Sequence, residues 1–124
     1  MGDKVVDASA LAAVAFAEPG ADAVIDEIDG HRLHAPTLIV FELMNVAWKR
    51  AKKQPAAAAL FLEALEVLEG LGLRFRGIDQ GEVVSLGLST GLTAYDASYL
   101  WLARALRMPL VTRDRKLAAH AKTF

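Results

Sequence analysis

The chain contains no cysteine. Disulfides, thiolate zinc sites, iron–sulfur ligation and cysteine nucleophiles are thereby excluded. It also lacks any real excess of charge: 14 basic against 15 acidic residues leave a net charge of −1. A grip on nucleic acid spread over the whole surface is not indicated, because such binding rests on neutralising many phosphates. Cations gather only locally, at Lys49, Arg50, Lys52 and Lys53, at Arg74 and Arg76, and at Arg113, Arg115 and Lys116. Although 54% of the residues are hydrophobic, no apolar run reaches the roughly 18 residues of a membrane span. The longest runs are broken by Glu42, Glu63 or Asp96. The start, MGDKVVD, lacks a signal-peptide layout, since Asp7 interrupts what would be its apolar region. Val6 stands where a myristoylation signal wants Ser or Thr. The expectation is a cytoplasmic protein that does not engage a membrane. Histidine is scarce, and His31, His34 and His120 show no metal-ligand spacing; they are read as surface or turn residues. Trp48 and Trp101 lie on apolar helix faces and are read as packing in a core or interface.

What is present is a regular alternation. The 124 residues suit one domain, 1–124, with one core, and no repeat, low-complexity segment or long linker divides them. Strands are expected at KVVD, RLHAP, LRFRGI and PLVT. Helices are expected at ASALAAVAF, ADAVIDEI, TLIVFELMNVAWKRAKK, PAAAALFLEALEVLEGL, DQGEVVSLGLSTG, TAYDASYLWLARAL and RDRKLAAHA. Thr37 is the expected N-cap of the third helix, whose last turns carry cations where the helix dipole favours them. Strands alternating with helices through short connections make an α/β fold with a parallel sheet covered on both faces. In such sheets ligands bind beyond the carboxyl ends of the strands.

Four acids are placed for that edge. Asp7 ends the first strand, and Asp114 lies two residues past the last, after Thr112. The helix bearing Asp96 runs into the last strand, so its first turn starts at the same edge. Glu42 lies on the helix leaving the second strand, about 7–8 Å along it at 1.5 Å per residue. Local explanations compete. Asp7 and Asp114 each suit a helix N-cap, and Thr93 and Asp96 have capping-box spacing. Glu42, inside the apolar sequence IVFELMNV, caps nothing and needs a cation or a hydrogen-bond donor, for which a nearby Arg or Lys would serve. Taken jointly, clustered carboxylates repel unless neutralised. An all-oxygen set without His or Cys suits Mg²⁺ or Mn²⁺, and such ions support phosphodiester hydrolysis.

The pieces VVDASAL, FELMNV, TAYDASYLWLA and LVTRDRKL, in that order over nearly the whole chain, resemble the PIN-domain ribonucleases, especially the VapC-type toxins of toxin–antitoxin pairs. The resemblance implies an α/β/α sandwich around a central parallel sheet and a Mg²⁺- or Mn²⁺-dependent endoribonuclease acting on RNA. It also implies a homodimer and a cognate antitoxin whose carboxyl segment blocks the acid site. Carried over residue by residue, Asp7, Glu42, Asp96 and Asp114 match the family's acidic quartet. Asp7 and Asp96 are then the firmest metal ligands. Glu42 binds metal directly or through water, or orients the attacking water, and Asp114 acts through water or supports a second ion. Thr112 matches the small hydroxyl residue before the last acid, and Ser9 and Asn45 are supporting residues. Members commonly continue into a further short strand after the last helix, for which this sequence has no residues beyond Phe124. Two other sites that begin with an Asp after a first strand fit less well. A haloacid-dehalogenase-type phosphatase wants a second acid where Ser9 stands, and a phospho-acceptor receiver domain wants an acidic pair at its first strand. Within the resemblance the alternatives are a PIN-domain nuclease for RNA processing outside a toxin–antitoxin pair and an inactive PIN-like module working by protein contact.

Overall fold

β1 (Asp3–Val6) is the strand around which the rest is built. Val5 and Val6 point to opposite faces of the sheet and both are fully buried, which is the signature of a parallel strand covered on both sides. The structure, a computed structural model, describes residues 2–121. β1 is flanked by β2 (Arg32–Ala35), with Val5 opposite His34, and by β4 (Leu110–Val111), with Val6 opposite Val111. β3 (Arg74–Phe75) pairs with β2 at the outer edge. All pairings are parallel, and the order is β3-β2-β1-β4.

Parallel strands need crossovers, and helices supply them. α1 (Ala8–Ala15), α2 (Ala21–Ile28), α3 (Leu38–Lys53) and α4 (Ala58–Glu69) pack as one group. α5 (Gln80–Thr90), α6 (Ala94–Leu106) and α7 (Arg115–Ala121) form a second, with α6 against β1. The result is the expected α/β/α sandwich. Leu11, Ile39, Tyr99, Leu100, Leu102 and Leu117 are among its largest fully buried side chains. Each aliphatic one contributes about 1.5–3 kcal/mol by leaving water. No helix among the described residues is long and apolar enough to cross a membrane.

Several local expectations change. Thr37 makes no capping hydrogen bond; its backbone is already helical, so its hydroxyl is not aimed at the free N–H groups. Pro55–Ala57 forms a 3₁₀ turn ahead of α4. The arginine-rich stretch expected as a strand over 73–78 pairs only at Arg74 and Phe75, where it meets β2. His34 is a buried strand residue, not a surface or turn one. Its Nε2 lies 2.8 Å from Asp3 Oδ1 and its Nδ1 3.4 Å from Arg76. Hydrogen bonds from Arg32, then His34, hold the Asp3 carboxyl well below its ordinary range. Trp48 is 58% exposed and so lies outside the core, with the Lys52 ammonium over its ring. Trp101 packs against the core as expected and donates from its indole to Glu82. The segment after α7, where the resemblance implies a further short strand, lies outside the described residues.

Candidate functional site

The carboxyl ends of β1 and β4 lie side by side and are tied together through one carboxylate. Asp7 directly follows β1 and is almost wholly buried. Its Oδ1 accepts from the Ser9 hydroxyl at 2.7 Å and from the Ala10 N–H at 3.0 Å. Its Oδ2 accepts from the Thr112 hydroxyl. The bond to Ala10 caps α1, so capping and placement at the strand edge are one arrangement. Ser9 and Thr112 reach beyond Asp7. The Ser9 hydroxyl accepts from the N–H of Arg113, and that of Thr112 from the N–H of Asp114. The loop carrying Asp114 is thus bonded to the start of α1. Arg113 in turn lies across Gly20, whose backbone has a φ of +90°. Any β-carbon there would stand 2.3 Å from the guanidinium.

Asp114 caps α7 by accepting from the Leu117 N–H at 2.8 Å. Asp96 lies in the first turn of α6. Only half of the capping box forms: the Thr93 hydroxyl accepts from the Asp96 N–H at 3.1 Å, while the Asp96 carboxylate accepts no hydrogen bond among the described residues. Glu42 is half-buried on α3. Its partner is not a cation but the hydroxyl of Tyr99, which donates to Oε1 at 2.5 Å. Asn45, one turn further along α3, is exposed and joins none of these hydrogen bonds.

Asp96 lies within charge range of Asp7, Glu42 and Asp114. Burial raises the carboxyl pKa of Asp7, and Asp96 adds to the rise, against the hydrogen bonds from Thr112, Ala10 and Ser9. Burial likewise raises Glu42; Asp96 and Asp7 reinforce this, and the Tyr99 bond opposes it. Asp96 is raised by burial and then by Asp114, with the nearby Lys116 ammonium opposing. Lys116 is fixed by donating to the Gly91 carbonyl at 3.0 Å.

Among the described residues no three ligand-type side chains stand gathered at metal-holding spacing. The donor chemistry nevertheless fits a hard cation. After the bonds above, Oδ2 of Asp7 keeps a lone pair, one oxygen each of Glu42 and Asp114 is uncommitted, and both oxygens of Asp96 are free. Mutual repulsion opposes drawing such groups closer without a counter-charge.

Two neighbours of the acids were not anticipated. Tyr99 is 1% exposed, and burial, then Glu42, pushes its phenol far above the ordinary value, so it stays a donor. Its position three residues after Asp96 puts it on nearly the same face of α6, a signal present in the sequence. Lys116 carried no comparable signal, because its approach to Asp96 depends on how α7 folds back.

Comparison with known proteins extends this description. Residues 4–123 match the PIN domain family. The chain is 31% identical over 119 residues to "Ribonuclease VapC3" of Pyrobaculum aerophilum, covering 92% of this chain and 91% of that protein. It is 36% identical over 127 residues to "Exonuclease VapC9" of the same organism, covering 95% and 85%. Among solved structures, PAE2754 from Pyrobaculum aerophilum superimposes with a TM-score of 0.79 at 32% identity, over 95% of this chain and 84% of that one.

Proposed function

The chain belongs to the PIN-domain family, and from that premise we propose that it is a Mg²⁺- or Mn²⁺-dependent endoribonuclease, the toxin of a toxin–antitoxin pair. One observation carries the reading. Four acids far apart in sequence gather around Asp96 at the carboxyl edge of the sheet, within reach of its charge, and each keeps a lone pair unused by the protein's own hydrogen bonds. Relatives named ribonucleases support the substrate class.

Asp7 and Asp96 would hold the ion, with Glu42 and Asp114 binding directly or through water. When bound, a divalent ion lowers the pKa of water and offsets charge on a phosphoryl oxygen. The chain's own contributions are positional and basic. Ser9, Thr112 and the Ala10 N–H fix Asp7 against rotation. Tyr99 aims Glu42, whose raised pKa makes it a better proton acceptor than an ordinary carboxylate. Tyr99→Phe is expected to lower cleavage about tenfold, the value of one charge-assisted hydrogen bond. Because the lost bond had held the Glu42 pKa down, the acidic limb of the pH–rate profile should move upward. A profile that keeps its position would reduce Tyr99 to a packing residue.

Mapping RNA ends in total RNA after expression, wild type against Asp96→Asn, tests the proposal directly. Discrete internal cuts made only by the wild type are expected. A relative named an exonuclease favours a second mode, removal from an end, which the same map would show as progressive trimming. The toxin role further predicts growth arrest that a cognate antitoxin, covering the acid site of a homodimer, relieves on co-expression. Arrest that persists would count against it.

A further inference from the structure

At the amino-terminal ends of α3 and α6, the helices that carry Glu42 and Asp96, lies a cleft of about 540 Å³ with no carboxylate among its described lining residues. It opens between β3, the start of α3 and the start of α6, and its walls include Pro36, Leu38, Phe75, Arg76, Gln80 and Tyr95. Two of these tie it to the acid site. Tyr95 immediately precedes Asp96, and Leu38 stands one helical turn before Glu42. The cleft and the acids thus share the amino-terminal parts of α3 and α6.

The lining describes an occupant. Tyr95 and Phe75 expose aromatic rings, at 64% and 49%, with apolar surface between them. Arg76 is the cleft's only charged group, and Gln80 adds an amide that both donates and accepts. Arg76 is not loose. One tautomer of buried His34 accepts from its guanidinium at Nδ1 while donating from Nε2 to Asp3. The size falls within the roughly 300–1,000 Å³ of small-molecule sites. A flat, uncharged, hydrogen-bonding ring attached to a phosphate satisfies these features together: the ring stacks, and the phosphate meets Arg76. An apolar peptide side chain would leave Arg76 and Gln80 without a use.

We propose that this cleft is a nucleobase pocket, seating one unstacked base of single-stranded RNA next to the phosphate held at the acids. The proposal rests on the nuclease reading. Sequence-tolerant stacking on aromatic rings is how single strands are commonly held. Tyr95 and Arg76 are binding residues here, not catalytic ones.

The test uses the full chain carrying Asp96→Asn, so that turnover is too slow to consume the probe. Fluorescein-labelled hexaribonucleotides of adenosine or of uridine, and a base-free hexamer of ribose phosphates, are titrated by anisotropy. Adding Tyr95→Ala is expected to weaken binding of the base-bearing hexamers roughly tenfold, the contribution of one stack, and to leave the base-free hexamer unchanged. Phe75→Ala should act in the same direction, and Arg76→Ala should weaken all three. Tyr95 is exposed, and an unchanged melting temperature verifies the fold. Equal affinities with and without Tyr95 overturn the pocket. So does a Tyr95→Ala protein that binds RNA normally but loses its response to a co-expressed antitoxin, because the cleft then serves a peptide. Cleavage of total RNA by protein with Asp96 in place separates the failures. If RNA is cut but the hexamer contrast is missing, only the pocket falls; if no RNA is cut or bound, both readings fall.

Discussion

Asp96→Asn is expected to lower RNA cleavage by about a thousandfold or more, roughly 4 kcal/mol of barrier at 1.36 kcal/mol per decade. Asp96 is the sharpest choice among the acids because it has the least structural work. Asp7 and Asp114 cap helices through their carboxylates, and Glu42 holds the Tyr99 hydroxyl. The Asp96 carboxylate supports no hydrogen bond among the described residues. The part of the residue that does, its N–H bonded to Thr93, is kept in asparagine. Removing one negative charge from a cluster that raises its own pKa values also relieves repulsion. The variant should therefore melt at or a few degrees above the metal-free wild type. Loss of cleavage with a retained or raised melting temperature is the expected pair of results. A variant that still cleaves at the wild-type rate, in a preparation free of contaminating nuclease, would sink the assignment.

Chelation should have an effect of similar size. EDTA is expected to stop cleavage, and added Mg²⁺ or Mn²⁺ to restore it. A second readout does not depend on activity. Asp7, Glu42 and Asp96 all have folded pKa values raised above the ordinary 3.8, 4.5 and 3.8. In the window between those ordinary values and the raised ones the native state binds more protons than the unfolded chain. Stability contributed by these groups therefore falls as pH rises through that window, and the full cost is present above it. A divalent cation offsets the cost only where the acids are ionised. Mg²⁺ should accordingly raise the melting temperature of the wild type, more at pH 8 than at pH 4.5, and more than it raises that of Asp96→Asn. Cleavage undiminished in EDTA would contradict metal dependence. An equal thermal gain in wild type and variant would place the cation elsewhere.

Much of the fold was legible because its signals are local. Val5 and Val6 together mark a strand buried on both faces, and the helical spacing of α6 survives its polar residues. Signals failed where tertiary contact decides. Arg74 and Phe75 are in a strand only because β2 lies beside them. His34 reads as an ordinary polar residue until Asp3 and Arg76 are brought to its two nitrogens. Thr37 has the right residue type for a cap but the wrong backbone.

The candidate site divides along the same line. Residue type and strand direction are enough to send Asp7, Glu42, Asp96 and Asp114 toward one edge, since a parallel sheet puts every strand's carboxyl end on the same side. The local caps at Asp7 and Asp114 can be read that way too, but the remaining partners cannot, because they join segments more than fifty residues apart. Only the folded chain brings the Tyr99 hydroxyl to Glu42 and that of Thr112 to Asp7. The placement of the candidate acids was thus legible in residue types near strand ends and helix starts. Which oxygens remain free for a ligand was decided by packing, because packing determines which donors each carboxylate meets.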